Sequence, residues 1–192
     1  RGALDVNTTG SNNTAIGKNA LDANTTANYN VAIGTDTLGV NTTGEYNVAV
    51  GVFALDANTA SYNVGIGHNA LTANTSGTNN VALGYAALGA NTTANENTAI
   101  GFASLDANTT GAQNTAVGNG SLSANTTASN NTAVGHAALE ANTTGENSTA
   151  IGWKALDANT TGVCTAVGSQ ALGANVTGNN NTAVGISAML VN

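Results

Sequence analysis

The sequence predicts an all-β fold, a parallel β-solenoid (a β-roll) of about 11 coils of 17 residues each. The first observation behind this is a five-residue motif, Asn-(Thr/Val)-Ala-(Ile/Val)-Gly, which begins at Asn13 and recurs along the chain. The second is its spacing, which is 17 residues except for two steps of 16. A fixed period of this kind indicates a repeat architecture. We therefore interpret residues 1–192 as one repeat domain, cut from a longer chain, whose coils close at Gly17, Gly34, Gly51, Gly67, Gly84, Gly101, Gly118, Gly135, Gly152, Gly168 and Gly185.

The third observation is the composition, which suits thin stacked layers. Hydrophobic residues make up 41% of the chain but aromatic residues only 4%, so the apolar side chains are mostly small. Charged residues are 7%, far below the roughly 25% of ordinary soluble proteins. With a net charge of −7 and three basic residues, the chain lacks the basic cluster that nucleic acid requires. No apolar run approaches the ~18–20 residues that span a bilayer, so we expect no membrane insertion.

The motif itself is predicted to form a strand. Thr14 and Ile16 point to one side, and Asn13, Ala15 and Gly17 point to the other. The Ile16 position holds only Ile, Val and Leu, which favours an extended, buried face. The Ala15 position holds only Ala, or Gly in one copy, which indicates close approach of a second layer. Both faces of this strand are therefore expected to be covered.

A second, short strand is predicted around the leucine that follows each motif glycine by four residues. Asn, Thr and Gly dominate the rest of the unit and favour turns. They form helices poorly, and no apolar face persists at helical spacing. Disorder would not explain such strict apolar columns. The leucines are Leu21, Leu38, Leu55, Leu71, Leu88, Leu105, Leu122, Leu139, Leu156 and Leu172, with Met189 in the last unit.

An asparagine three residues after each leucine is expected to form a structural ladder. In a parallel stack, identical amides lie above one another and can hydrogen bond along the axis. The column comprises Asn7, Asn24, Asn41, Asn58, Asn74, Asn91, Asn108, Asn125, Asn142, Asn159, Asn175 and Asn192.

The motif resembles the repeat of head domains in trimeric autotransporter adhesins of the YadA type. Residues 29–34, Tyr-Asn-Val-Ala-Ile-Gly, and residues 80–84, Asn-Val-Ala-Leu-Gly, are the most similar copies. The resemblance implies a left-handed parallel β-roll and side-by-side packing of three rolls. It covers only five or six of the 17 residues, so the coil dimensions do not transfer. The full unit is similar to repeats in tail fibres of bacterial viruses and in long bacterial surface proteins.

Two further interpretations of the architecture stay open. Residues 16–21 also resemble the hexapeptide of left-handed triangular β-helices, although that fold needs three hexapeptides per coil and one is clear here. Independently of any resemblance, a thin two-layer roll leaves one β-branched face without a partner. A long apolar stripe of this kind predicts an interaction surface, which a homotrimer or a filament would bury.

Residues that could carry chemistry are few, and we predict no catalytic, cofactor-binding or metal site. His68 and His136 lie four coils apart without a recurrent carboxylate or cysteine, which is typical of a variable surface position. Asp22 and Asp56 follow the leucine, but Gly39 and Thr72 interrupt their column where a calcium solenoid needs a ligand in every turn. Cys164 is the only cysteine, so no internal disulfide forms, and we interpret it as a small substitution in an Asn column.

Three polar or aromatic patterns suggest binding instead. Tyr29, Tyr46 and Tyr62 share one column, either as a stabilising aromatic ladder or as a carbohydrate-binding stripe. Threonine rows suggest ice binding, although the Thr14 column changes to Val in four consecutive units. Asn-x-Thr sequons recur in the turns and leave glycosylation undecided.

The sequence therefore predicts a structural or adhesive fibre segment, the shaft or head of a trimeric surface adhesin or phage tail fibre, which is extracellular, on a cell surface or a virion. Its main partner would be itself, with a cell-surface glycan or host receptor as a further partner. One alternative is a subunit of a self-assembling extracellular filament, and another is a carbohydrate- or ice-binding module. An enzyme is not expected, because the repeats carry no inserted loop with His and acidic residues.

Overall fold

The computed structural model of the chain describes residues 2–190, which form one sheet of eleven parallel strands in sequential order. These residues contain no helix. The prediction of an all-β, parallel β-solenoid is confirmed, with about ten turns of about 17 residues. We call the stretch that begins at each strand a coil. The strands are β1 (Thr14–Ile16), β2 (Val31–Ile33), β3 (Val48–Val50), β4 (Val64–Ile66), β5 (Val81–Leu83), β6 (Thr98–Ile100), β7 (Thr115–Val117), β8 (Thr132–Val134), β9 (Thr149–Ile151), β10 (Cys164–Val167) and β11 (Asn181–Val184).

Each strand pairs with the next in strict register. Thr14 lies beside Val31, Ala15 beside Ala32 and Ile16 beside Ile33, and the pattern repeats along the sheet. At the usual spacing of parallel strands, ten steps give a stack about 48 Å long. Because the register never slips, each position of the repeat becomes a column of like side chains.

The core lies between the strand alanines and the leucines of the opposite turn. The alanines from Ala32 to Ala166 and the leucines from Leu21 to Leu172 are fully buried. Their contact is tight: a methyl group added to Gly65, the one glycine in the alanine column, would lie 3.1 Å from Leu55 Cγ. A larger side chain has no room at this position, which explains why the column accepts only Ala and Gly.

The prediction of a second strand at the leucine is wrong. The chain forms turns there, closed by hydrogen bonds from Ala20 N–H to the Gly17 carbonyl and from Asn24 N–H to the Leu21 carbonyl. Leu21 itself adopts φ 51°, in the left-handed region. That conformation costs a non-glycine residue about 1–2 kcal/mol, whereas burying a leucine side chain stabilises the fold by about 1.5–3 kcal/mol. Burial of the side chain therefore offsets an unfavourable backbone.

The prediction that both strand faces are covered is also wrong for this single chain. The Ile16 column points outward, and its side chains range from half-buried to exposed, with Ile16 at 59%, Leu83 at 45% and Val184 at 71%. Only one face of the sheet packs on the leucine turns. The sheet therefore has an outer face lined by β-branched side chains.

The asparagines three residues after the leucines hydrogen bond along the stack. Asn91 is typical: its Nδ2 donates to Asn74 Oδ1 at 2.8 Å and to the Ala94 carbonyl at 3.1 Å. Its own Oδ1 accepts from Asn108 Nδ2 at 3.2 Å. The amide ladder is continuous from Asn58 to Asn142. The column is buried from Asn24 to Asn175, and Asn192 lies outside the described residues.

A second asparagine ladder runs beside the first, at the first residue of each motif. The backbone N–H of Asn47 donates to Asn30 Oδ1 at 2.9 Å, while Asn30 Nδ2 donates to the Gly44 carbonyl at 2.8 Å. Sequence reasoning placed this position on the inner side but missed the ladder. The available signal was its invariance, since only Ser148 and Cys164 interrupt the asparagines.

Candidate functional site on the outer face of the sheet

The outer face of the sheet is an uncharged surface that runs the length of the described solenoid. It is formed by the two residues that flank each inner alanine, and no charged residue occurs at either position. From β2 to β5 both positions are apolar, as in Val48 and Val50. From β6 to β11 one position is threonine, as in Thr132 beside Val134. The face therefore divides into an apolar half and a half that alternates hydroxyl and apolar groups.

Three tyrosines border the apolar half on the side where the strands begin. Tyr29 and Tyr46 stack with ring centroids 5.1 Å apart and planes within 7°, and Tyr46 and Tyr62 stack at 5.2 Å and 2°. All three rings are exposed. Because each inner ring face is covered by the next ring, only the outward faces of Tyr29 and Tyr62 remain for a sugar to stack on. This geometry agrees better with a stabilising ladder than with a carbohydrate-binding stripe.

A second aromatic stack borders the side where the strands end, and sequence reasoning missed it. His68 stacks on Tyr85 at 5.5 Å, Tyr85 stacks on Phe102 at 5.2 Å, and Phe53 meets His68 edge-on at 6.1 Å. The position after the motif glycine varies too much between coils to suggest a ladder. The only sequence signal for the stack was that three successive coils carry a ring at this position. His68 is thus a stacking partner on the surface.

The remaining ring-bearing residues of interest lie apart from this cluster. His136 is exposed four coils beyond His68. Trp153 is 48% exposed, and Lys154 Nζ lies 5.6 Å from its ring centroid, a weak cation–π contact. All seven aromatic residues of the chain are at least 38% exposed, so none contributes to the core. The chain therefore places its aromatic surface where another molecule can reach it.

Three aspartates from successive coils lie close together, but they do not form a metal-binding arrangement. Asp22, Asp36 and Asp56 line an open depression of about 400 Å³ above Gly39. Burial raises the pKa of the Asp56 carboxyl, and the charges of Asp36 and Asp22 raise it further. Within residues 2–190, no group of three or more His, Cys, Asp or Glu side chains could hold a metal ion.

Replacing Asp56 by asparagine is expected to stabilise the fold at pH 7, by no more than about 0.5 kcal/mol, the usual scale of substitutions at the surface. The raised pKa means that the folded chain binds more protons than the unfolded chain between the ordinary carboxyl pKa and the folded value. Stability therefore falls as pH rises through that window. Melting temperatures between pH 3 and 8 should show a gain for D56N at neutral pH that disappears in acid. D106N is the control: burial raises the pKa of the Asp106 carboxyl too, but no neighbouring carboxylate adds to the shift and backbone hydrogen bonds oppose it, so its gain should be smaller.

Cys164 lies buried in the second asparagine ladder. Its Sγ is 3.0 Å from the Gly178 carbonyl, so the thiol donates where an asparagine amide donates in other coils. Its backbone N–H donates to Ser148 Oγ at 3.2 Å. The side chain is only 3% exposed. These contacts support the interpretation of a small structural substitution.

No protein-family model, curated protein or solved structure matches the chain. Within residues 2–190 there is also no helix of the length and apolar character needed to cross a membrane.

Proposed function

We propose that this chain is a structural segment of an extracellular fibre, the shaft or head of a trimeric surface adhesin or of a phage tail fibre. The observation that carries the proposal is the outer face of the sheet, an uncharged stripe of β-branched side chains along the whole stack. A stripe of this length on a monomer indicates an interaction surface. The role is mechanical: in-register backbone hydrogen bonds stiffen the rod, and the rod holds an adhesive surface away from a cell or virion.

The size of the face supports self-association. The stack is about 48 Å long and, with the column that flanks each end of the strands, about 20 Å wide, so the face offers about 1,000 Å². A standard interface buries about 800 Å² per partner. Three copies in a left-handed β-roll arrangement would each bury this face against the others. The partner we favour is therefore the chain itself, as a homotrimer, and no cofactor or catalytic residue is involved.

Light scattering across a dilution series tests the oligomeric state. We expect a concentration-independent mass of three times 18.7 kDa. The variant Val64→Asp places a charge in the apolar half of the face and should reduce the mass to that of one chain. Val64→Thr is the matched control, since threonine occupies this position from β6 onward, and it should keep the trimer.

Other outcomes of that measurement would contradict the proposal. A mass that rises with concentration to very large species would favour the alternative, a self-assembling filament subunit. A monomer at every concentration would remove both and leave a binding module on the exposed face. Trimers of Val64→Asp would show that the copies meet through another surface.

A carbohydrate- or ice-binding module is the remaining candidate function. It is favoured by the aromatic stacks and by the part of the outer face, β6 to β11, that carries threonine. Six successive strands, β6 to β11, present an outward threonine. The ring faces within each aromatic stack are covered, however, and the threonine column changes to valine from β2 to β5. A flat binding face would be interrupted in both cases. We therefore rank this function below the fibre.

A further inference from the structure

Asn-x-Thr sequons occur at two positions of the repeat, and the fold gives the two sets opposite exposure. One set is the buried amide ladder, in which residues 91–93 read Asn-Thr-Thr and Asn91 is fully buried. In the other set the asparagine lies two residues before a strand threonine, and it is exposed. The sequons of this second set begin at Asn12, Asn130, Asn147 and Asn180, and in the ladder column only Asn7, in the first turn that residues 2–190 describe, is exposed.

Asn91, in the middle of the buried ladder, has no amide hydrogen to spare. Asn91 Nδ2 donates one hydrogen to Asn74 Oδ1 and the other to the Ala94 carbonyl. A sugar on Nδ2 would remove one of these hydrogen bonds and would need the space of a hexose inside a column with no solvent exposure. N-glycans are bulky surface groups. The folded ladder is therefore closed to glycosylation.

The exposed asparagines have the opposite surroundings. Asn130 and Asn147 adopt φ 63° and 56° in turns just before β8 and β9, and their side-chain amides have no hydrogen-bond partner among residues 2–190. The third residue of each sequon, Thr132 or Thr149, begins the next strand on the outer face. Both the acceptor amide and the hydroxyl that completes the sequon therefore lie on one accessible edge of the sheet.

One exposed sequon lacks this arrangement and serves as an internal contrast. Asn119 is exposed, but Ser121, which completes its sequon, is fully buried. Ser121 Oγ donates to the Gly118 carbonyl at 2.9 Å. Exposure of the asparagine alone does not give an accessible sequon.

We propose that Asn130 and Asn147, together with Asn12 and Asn180, form a row of N-glycan acceptors along one edge of the sheet. The folded solenoid takes a sugar there and excludes it from the ladder. In the transfer, Asn Nδ2 attacks the anomeric carbon of a nucleoside-diphosphate sugar and a C–N bond forms. The bond from that carbon to the diphosphate oxygen breaks, the amide loses one proton, and the nucleoside diphosphate leaves. This proposal does not rest on the proposed fibre function. Asn130 and Asn147 share a column with Tyr29 and Tyr46 at the edge of the face that a homotrimer would bury, so the test uses the Val64→Asp variant, which is expected to be a single chain.

The test incubates the folded Val64→Asp chain with a soluble, sequon-directed N-glycosyltransferase and a nucleotide-activated hexose. Mass spectrometry then locates the added hexose residue by residue. We expect hexose on Asn130 and Asn147, and none on Asn91 or Asn119. The chain treated in denaturant and then diluted with the enzyme should gain hexose on Asn91 as well, because its amide is then free.

Matched variants separate sequon recognition from folding. Thr132→Val and Thr149→Val remove only the hydroxyl of each exposed sequon, and valine is native at this position in β2 to β5. Each variant should lose hexose at its own asparagine and keep it at the other. Hexose on Asn91 in a chain with an unchanged circular-dichroism spectrum would overturn the proposal. So would an unmodified Asn130 and Asn147 in the folded chain alongside their modification in the denatured chain.

Discussion

Replacing Asn91 by aspartate is expected to destabilise the solenoid by about 3–5 kcal/mol, the cost of an uncompensated buried charge. The two side chains have nearly the same shape, so packing is unchanged. Asparagine donates from Nδ2 to Asn74 Oδ1 and to the Ala94 carbonyl, and a carboxylate can donate to neither. Asn74 Oδ1 loses its donor and the Ala94 carbonyl keeps only Asn80 Nδ2, while a full negative charge is placed where the exposed fraction is zero. Denaturant unfolding followed by circular dichroism measures the loss.

Asn95→Asp is the matched control for this substitution. Asn95 is exposed and acts only as an acceptor, receiving hydrogen bonds at Oδ1 from Thr78 N–H and Thr78 Oγ1. A carboxylate accepts both bonds equally well, so we expect little change. Acid should also rescue N91D in part, because its buried carboxyl has a raised folded-state pKa and regains one donor on protonation. Equal losses for N91D and N95D would refute the role assigned to the ladder.

The strand and the inner alanine column could be predicted from the sequence because both follow from side-chain size and alternation. Ala15 and its equivalents leave room for nothing larger, and β-branched neighbours favour an extended backbone. The same argument could not tell the inside of the sheet from the outside. Ile16 and Leu21 are both apolar, and only the curvature of the chain decides that Leu21 is buried while Ile16 is exposed.

The turns were harder to predict because their conformations run against residue preference. Leu21 and its equivalents adopt φ near 50°, where leucine is unfavourable, so an apolar Ala-Leu pair is more readily interpreted as a strand. Tyr29, Tyr46 and Tyr62 likewise hold positive φ values of 57–63°. In a solenoid, packing between coils determines these dihedral angles, and the residue type alone does not report it.

On the candidate surface, too, one feature could be predicted from the sequence and another could not. The Tyr29, Tyr46 and Tyr62 column was visible in the sequence because identical residues recur at the repeat spacing. The stack of His68, Tyr85 and Phe102 was not, since its members differ and only their axial alignment brings the rings within 5.5 Å. Columns of unlike residues with compatible shape are thus the surface features that a repeat alignment overlooks.

Replacing Gly51 by alanine is expected to cost about 2–6 kcal/mol, from backbone strain and from overpacking together. Gly51 adopts φ 127°, a region open essentially to glycine, and a methyl group there would lie 2.6 Å from the Gly67 carbonyl oxygen of the next coil. Since that contact is with backbone, relief requires the two coils to separate. Coils touch only their neighbours, so the break should divide the solenoid into two cooperative units. Thermal unfolding should show a lower Tm and a broader or two-step transition.

Gly120→Ala provides the control for that variant. Gly120 also has positive φ, at 63°, but a methyl group there meets no atom within 4 Å. Alanine already occupies the equivalent position at Ala86, Ala103 and Ala137, with φ values of 49–54°. We expect its free energy of unfolding to change by no more than about 0.5 kcal/mol, as for other surface substitutions. If G51A melts like G120A in one sharp transition, the close approach of successive glycines does not set the spacing of the coils.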